Sequence, residues 1–285
     1  MSRFLVWCVA MLAGLSGAVA EPGLIEVNGR TRNFVLQRPA EPGPRPTIVM
    51  LHGGGSSGEQ EMQLSGLGEA APREGFVAVF PQGVGKLWNF FPAGTENREY
   101  RRYLDRYGGL PDDVAFLKML VAELAHREIS DLTRIYLAGR SLGGVMALRL
   151  ACVDASGIAA VALLISAMPG VIGADCHPSR PVPMLTINGT EDRVLPYRGE
   201  RGQQGYRLWP TAQLIAFFRD LDGCGDVSKQ AVLPGRARQN VVVESWTNCS
   251  AGPVIHYRIV EGGHDIPPGL NTTQVLLDFF RDKTR

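Results

Sequence analysis

Short apolar runs punctuate the chain and set its expected architecture. Leu24 to Val27 and Phe34 to Leu36 flank Asn28-Gly29, a dipeptide that favours the tight turn of a β-hairpin. Thr47 to Leu51, Phe76 to Phe80, Ile135 to Ala138, Val161 to Ile165, Met184 to Ile187 and Ile255 to Val260 are continuous rather than alternating. Short runs of this kind read as strands buried on both faces of a parallel sheet. Helical spacing lies between them. Asp112 and Asp113 offer a cap and a first-turn acid to Val114, Leu117, Val121 and Leu124. Thr211 to Leu221 carries Leu214, Phe217, Phe218 and Leu221 on one stripe, and Asn271 caps a last helix with Val275, Leu276, Phe279 and Phe280. An antiparallel hairpin followed by strand–helix alternation predicts an α/β fold, a mostly parallel central sheet with helices on both faces. In such folds ligands bind at the carboxyl ends of the strands.

The first twenty residues follow a different pattern. Arg3 precedes an uncharged apolar run from Phe4 to Leu15, too short for a membrane span. Ala18-Val19-Ala20 is a small-x-small cleavage site. Residues 1–20 are therefore expected to be a signal peptide, with one catalytic domain over residues 21–285 in a secreted or periplasmic protein. No repeat, low-complexity tract or hinge-like linker divides that span.

Composition removes several function classes. The chain has 29 basic and 28 acidic side chains among 285 residues, a formal net charge of +1. A nucleic-acid binder needs a basic stripe that this balance does not supply. No later run is long and apolar enough to span a bilayer, so neither nucleic acid nor membrane is expected as a partner once the leader is removed. Loss of the leader also removes Cys8 and leaves Cys152, Cys176, Cys224 and Cys249. An even count in an exported protein favours disulfides. Three pairings are possible; neighbour pairing, Cys152 with Cys176 and Cys224 with Cys249, is preferred. Each bridge would close a loop of about 25 residues, worth on the order of 3 kcal/mol. No His-Glu-x-x-His and no clustered His/Asp ligand set occurs, so no metal and no cofactor is expected.

The candidate chemistry lies at strand ends. Gly139-Arg140-Ser141-Leu142-Gly143 fits Gly-x-Ser-x-Gly, directly after one strand and before the helix-forming run Val145 to Leu150. Strand, sharp turn and helix expose a serine on a strained elbow, which makes Ser141 the expected nucleophile. His52-Gly53-Gly54-Gly55 follows the strand ending at Leu51, and such a loop brings bare N–H groups to a reacting carbonyl. The expected oxyanion donors are the N–H of Leu142 and one glycine of this loop, with Gly54 preferred. His52 is expected to pack near the loop. The elbow geometry has the chain order nucleophile, acid, base. His52 and His126 precede Ser141, His177 precedes any acid-bearing strand, and His256 lies within a strand. His264, in Glu261-Gly262-Gly263-His264, is therefore the expected base. The acid should follow the preceding strand, where Asn188-Gly189-Thr190-Glu191-Asp192 offers Asp192, with Glu191 in reserve. Trp88 has two readings, pocket lining or core aromatic. Trp88-Asn89-Phe90-Phe91 and the charged run from Glu96 to Arg106 are expected as a loop or lid over the site, with Arg98, Arg101, Arg102 and Arg106 solvated.

These stretches together resemble a known family. Leu51-His52-Gly53, Asp112 to Leu117, Ile135 to Cys152, Pro183 to Tyr197 and Gly262-Gly263-His264 are similar to the secreted α/β-hydrolase esterases. That family includes poly(3-hydroxybutyrate) depolymerase-like proteins and feruloyl esterases. The resemblance implies the α/β-hydrolase fold, the Ser141, Asp192, His264 triad and the two neighbour disulfides. Two stretches depart from the family. Asp265-Ile266-Pro267-Pro268 stands where an aromatic often follows the histidine, and Gly54, Gly55, Ser56 and Ser57 stand where a polar residue usually follows His-Gly. The expected activity is hydrolysis of small or oligomeric carboxylic esters, of the hydroxybutyrate or feruloyl/aryl type, through an acyl-enzyme. An acyltransferase, a peptidase and a non-catalytic binder on the same fold are the alternatives.

Overall fold

A computed structural model describes residues 20–96, 98–202, 205–225, 228–233 and 240–285. The leader expected over residues 1–20 lies, but for Ala20, outside the described residues. Glu21–Val27 (β1) and Arg30–Gln37 (β2) form the hairpin, turning through Asn28 and Gly29, both at positive φ. Then follow Arg45–Leu51 (β3), Gly58–Leu64 (α1), Leu67–Arg73 (α2), Val77–Pro81 (β4), Arg98–Asp105 (α3) and Asp113–His126 (α4). The centre of the chain holds Ser130–Arg140 (β5), Leu142–Val153 (α5), Ala160–Leu164 (β6), the short Gly170–Gly173 (α6) and Met184–Gly189 (β7). Thr211–Leu221 (α7), Ser228–Leu233 (β8), Val241–Trp246 (β9), Val254–Ile259 (β10) and Thr272–Phe280 (α8) complete it.

The strands make one sheet in the order β1-β2-β4-β3-β5-β6-β7-β10-β9-β8. The six strands from β4 to β10 in that order run parallel; β1, β2, β9 and β8 pair antiparallel outside them. The parallel strands are buried on both faces, so their sequences are continuous rather than alternating. In β3, Val49 and Leu51 face one core with Phe116 of α4, Val145 of α5 and Phe218 of α7. Ile48 and Met50 face the other, with Leu67 of α2 and Leu276 of α8. Helices thus cover both faces, as the apolar periodicity predicts.

The structure adds elements that the sequence reading did not contain. These are α1 to α3, the short α6 and the antiparallel pair β8–β9. Strand β8 is half polar and sits at the sheet edge, so it lacks the apolar run that marks an interior strand. The run from Glu96 to Arg106 is largely the helix α3, with Tyr100 and Leu104 buried. It packs on Phe90 and Phe91, ring centroids 5.8 and 5.0 Å from Tyr100, and Tyr100 donates to the Trp88 carbonyl.

Two disulfides join Cys152 to Cys176 and Cys224 to Cys249. The first ties the end of α5 to the segment before β7. Asp112 caps α4 by accepting from Ala115 N at 2.9 Å. Asp113 is the acid in the first turn of α4. It is buried, accepts from Arg32 Nη2 at 2.6 Å and from Asn89 N at 2.6 Å, and clamps β2 and the Trp88 segment to α4.

Candidate active site

The order β4-β3-β5 reverses the direction of chain progression, since β3 is followed outward by β4 on one side and by β5 on the other. Such a switch point opens a crevice at the carboxyl ends of the two strands. The His52 loop leaves β3 there, and Ser141 leaves β5 there.

Ser141 occupies a strained turn, φ 52° and ψ −119°, as the N-cap residue of α5. A positive φ is costly for a residue with a Cβ and must be over-determined by its surroundings. Its N–H donates to Leu164 O at 2.9 Å, and its carbonyl accepts from Ser166 Oγ at 2.8 Å and from Gly144 N at 3.0 Å. The support continues inward. Asn188 Nδ2 donates to Ser166 O at 2.7 Å, and Thr186 Oγ1 donates to Asn188 Oδ1 at 2.6 Å. Sequence reading did not find this network, because its members come from three strand ends. Gly139 and Gly143 allow the turn: a side chain at Gly139 would collide with the Gly143 backbone, and one at Gly143 with the carbonyls of Leu51 and His52.

His264 Nε2 lies 2.9 Å from Ser141 Oγ, and His264 Nδ1 lies 2.7 Å from Asp192 Oδ2. Asp192 is buried, and its Oδ1 accepts from Val194 N at 2.8 Å and Leu195 N at 2.9 Å. Its two oxygens are thereby assigned, one to backbone and one to the imidazole. Glu191 is exposed, and its N–H donates to Gly262 O at 2.8 Å. With Glu261 N donating to Thr190 Oγ1 at 2.8 Å and Thr190 N to Ile259 O at 3.0 Å, the loops after β7 and β10 are stitched into one body. Gly189 permits this contact, since a side chain there would strike the carbonyls of Gly262 and Gly263.

His52 is fully buried. Its Nδ1 bonds Gly53 O at 2.8 Å, and its Nε2 accepts from Gly83 N at 3.0 Å. The second bond fixes the proton on Nδ1, so the ring donates to the Gly53 carbonyl. Burial pushes its pKa down to about 4, which keeps that tautomer neutral. A planar trans peptide points N–H and C=O in opposite directions. Holding the Gly53 carbonyl on the ring therefore aims the Gly54 N–H away from it. Gly54 itself lies against Leu142, whose Cδ1 would be 2.7 Å from a side chain added there. The Leu142 N–H is in the first turn of α5, where no intrahelical acceptor exists. Trp88 packs under this loop, its ring 4.8 Å from that of His52 and its Nε1 donating to His52 O at 2.8 Å. It is fully buried, so of its two readings the core aromatic applies. His256 is buried within β10, with Nε2 3.0 Å from Tyr197 Oη.

A cavity of about 470 Å³ opens onto Ser141 and His264. The two stretches that depart from the resembled family line it: Gly54 and Ser56 on one side, Asp265 to Pro268 on the other. Glu61 and Leu64 of α1 also line it, and nothing near them in the chain signals this. No residue of α3 lines it, so among the described residues this helix is not a cover for the cavity. The described residues contain one group of possible metal ligands, Asp222 with Cys224 and Cys249, and both cysteines are held in a disulfide.

The comparisons with known proteins agree with this fold. The sequence model of the alpha/beta hydrolase family matches residues 98–212. "Putative esterase NocK" of Nocardia uniformis is 35% identical over 263 residues, covering 86% of this chain and 73% of that protein. Feruloyl esterase B of Piromyces equi is 29% identical over 229 residues, 76% of this chain and 39% of that longer protein. Among solved structures, an acetyl xylan esterase from Aspergillus awamori superposes with TM-score 0.66 at 12% identity, covering 92% of this chain and 99% of that one. A ferulic acid esterase from Anaeromyces mucronatus gives TM-score 0.58 at 15% identity, covering 96% and 93%. The chain belongs to the esterases of the α/β-hydrolase family.

Proposed function

We propose that the protein is an exported serine esterase in which Ser141 is the nucleophile, His264 the general base and acid, and Asp192 the residue that orients the imidazole. The observation that carries this reading is the continuous hydrogen-bond chain from Ser141 Oγ through both nitrogens of His264 to Asp192 Oδ2, at 2.9 and 2.7 Å. With the Nδ1 proton held by Asp192, Nε2 is free to take the serine proton as Oγ attacks the ester carbonyl. The oxyanion then forms beside the Gly54 and Leu142 N–H groups, and the field of the α5 N-terminus favours it. The imidazolium returns its proton to the departing alcohol oxygen. Water attacks the acyl-enzyme by the same route and regenerates Ser141. Substrates are small or oligomeric carboxylic esters, of the aryl or hydroxyalkanoate type.

Export is supported by the apolar run Phe4 to Leu15 with its small-x-small site, and by the two disulfides, which persist in oxidising compartments. Among the described residues no helix is long and apolar enough to cross a membrane.

The test is labelling with a fluorophosphonate, followed by peptide mass mapping. An adduct on Ser141, absent from folded Ser141→Ala, is the expected result. Folded wild-type protein that takes up no label would overturn the assignment.

A further inference from the structure

The cavity at Ser141 holds a cation for which the hydrolytic steps above have no use. Arg140 ends β5, immediately before the nucleophile. Its Nε–H donates to Glu61 Oε1 at 3.0 Å, and both residues line the cavity. The Glu61 side chain is 0% exposed, while that of Arg140 keeps 20%. A guanidinium offers five N–H donors in a rigid plane. Glu61 engages one; the terminal nitrogens have no acceptor among the described residues. The pair is not a closed fork-to-fork bridge either, because Glu61 Oε2 is buried without a hydrogen-bond partner. A buried ion pair contributes little stability beyond what packed apolar side chains would give. What this one does is hold the guanidinium by its Nε and leave the terminal nitrogens outside the pair, on a residue that lines the cavity.

The rest of the lining decides what fits. Leu64, Ile266 and Leu270 are apolar, with Leu64 65% exposed at the rim. Asp265 is the other carboxylate, but its Oδ1 lies over Gly263, 3.2 Å from where a side chain there would begin. Among the described residues no ion pair joins it to Arg140. An apolar-walled pocket with an unclosed guanidinium edge suits an aliphatic or aryl group that ends in an anion. Charge-assisted, two-pronged bonding favours carboxylate over a neutral acceptor. Resting on the reading of Ser141 as nucleophile, we infer that Arg140 is a specificity-determining residue, whose terminal nitrogens bind a free carboxylate carried by the ester substrate, with Glu61 as its positioning residue.

Two matched pairs of esters test this in a pH-stat. Monomethyl adipate against methyl hexanoate puts the charge on the acyl side. 3-Acetoxybutyrate against sec-butyl acetate puts it on the alcohol side. The wild-type protein is expected to prefer the charged member of at least one pair by ~10-fold in kcat/KM, the size of one charge-assisted hydrogen bond. That ratio is expected to shrink as ionic strength rises, to fall to about one in Arg140→Gln and to survive in part in Arg140→Lys. Neutral members turned over as fast as charged ones by wild-type protein would overturn the inference and leave the esterase reading intact. A preference that persists in Arg140→Gln would do the same. Turnover of none of the four esters by protein that still takes a fluorophosphonate on Ser141 would overturn the inference alone; no turnover and no label would remove both readings.

Discussion

His264 Nε2 and Ser141 Oγ stand 2.9 Å apart although 123 residues separate them in the chain. Asp192 completes the contact from a third strand end. The geometry predicts unequal roles. Asp192→Asn keeps the shape but offers Nδ1 an amide and lets the imidazole adopt the wrong tautomer. The expected loss in kcat is on the order of 10⁴-fold, with folding preserved. Initial rates on a neutral ester beside far-UV circular dichroism check it; a loss under tenfold would assign the acid elsewhere, with Glu191 the next to substitute.

Gly54→Ala tests the oxyanion loop. The new methyl would begin 2.7 Å from Leu142 Cδ1, so either that side chain or the Gly54 N–H beside it must move. The expected fall in kcat is ~10²-fold, with KM much less affected, because the donor acts chiefly in the transition state. A change confined to KM would count against an oxyanion role.

Acid should destabilise the fold through its buried histidines. Burial pushes the His256 pKa down to about 4, as it does for His52, against an ordinary 6.5. Between those values the unfolded chain binds the proton and the folded one does not. Stability is therefore full above about pH 6.5 and is lost as pH falls toward 4, by up to ~3 kcal/mol for each ring. Glu61 and Asp113, whose pKa values burial raises, work in the opposite sense by accepting protons in the folded state. The clean readout is a difference: the midpoint of thermal unfolding should fall less steeply from pH 6.5 to 4.5 in His256→Gln than in wild type. Equal slopes would refute it.

Loss of the first disulfide should cost on the order of 3 kcal/mol, from the 24-residue separation it spans. Urea unfolding of the double variant Cys152→Ala, Cys176→Ala measures it, with a larger m-value because the denatured chain expands once the cross-link is gone.

Asp113→Ala strips the counter-charge from buried Arg32, which also lies 3.9 Å above the Phe116 ring. Leaving that cation unpaired should cost ~3–5 kcal/mol. A cost below 1 kcal/mol in chemical unfolding would mean that the guanidinium finds water.

The parts legible in the sequence were those whose signal is local. Buried strands announce themselves as apolar runs, and the glycines around Ser141 mark an elbow because backbone passes where their side chains would be. Strand ends then ranked His264 above the other histidines. The illegible parts depend on which strands become neighbours. Glu61 meets Arg140 across 79 residues, and Arg32 meets Asp113 across 81. Nothing near either residue in sequence signals its partner, and Asp113 looked like an ordinary first-turn acid. The strand β8 escaped notice because an edge strand needs no apolar face.

The stitching of the loops after β7 and β10 has a consequence in time. A chain emerging from synthesis, or recovering from urea, can form α5 from nearby residues. It lacks the proposed base until β10 has paired with β7 and carried His264 across. Contacts of such long sequence separation form late, because loop closure must precede their reward. Helical signal should return first during refolding, and the ability to cleave an ester should return only with the closure of the sheet.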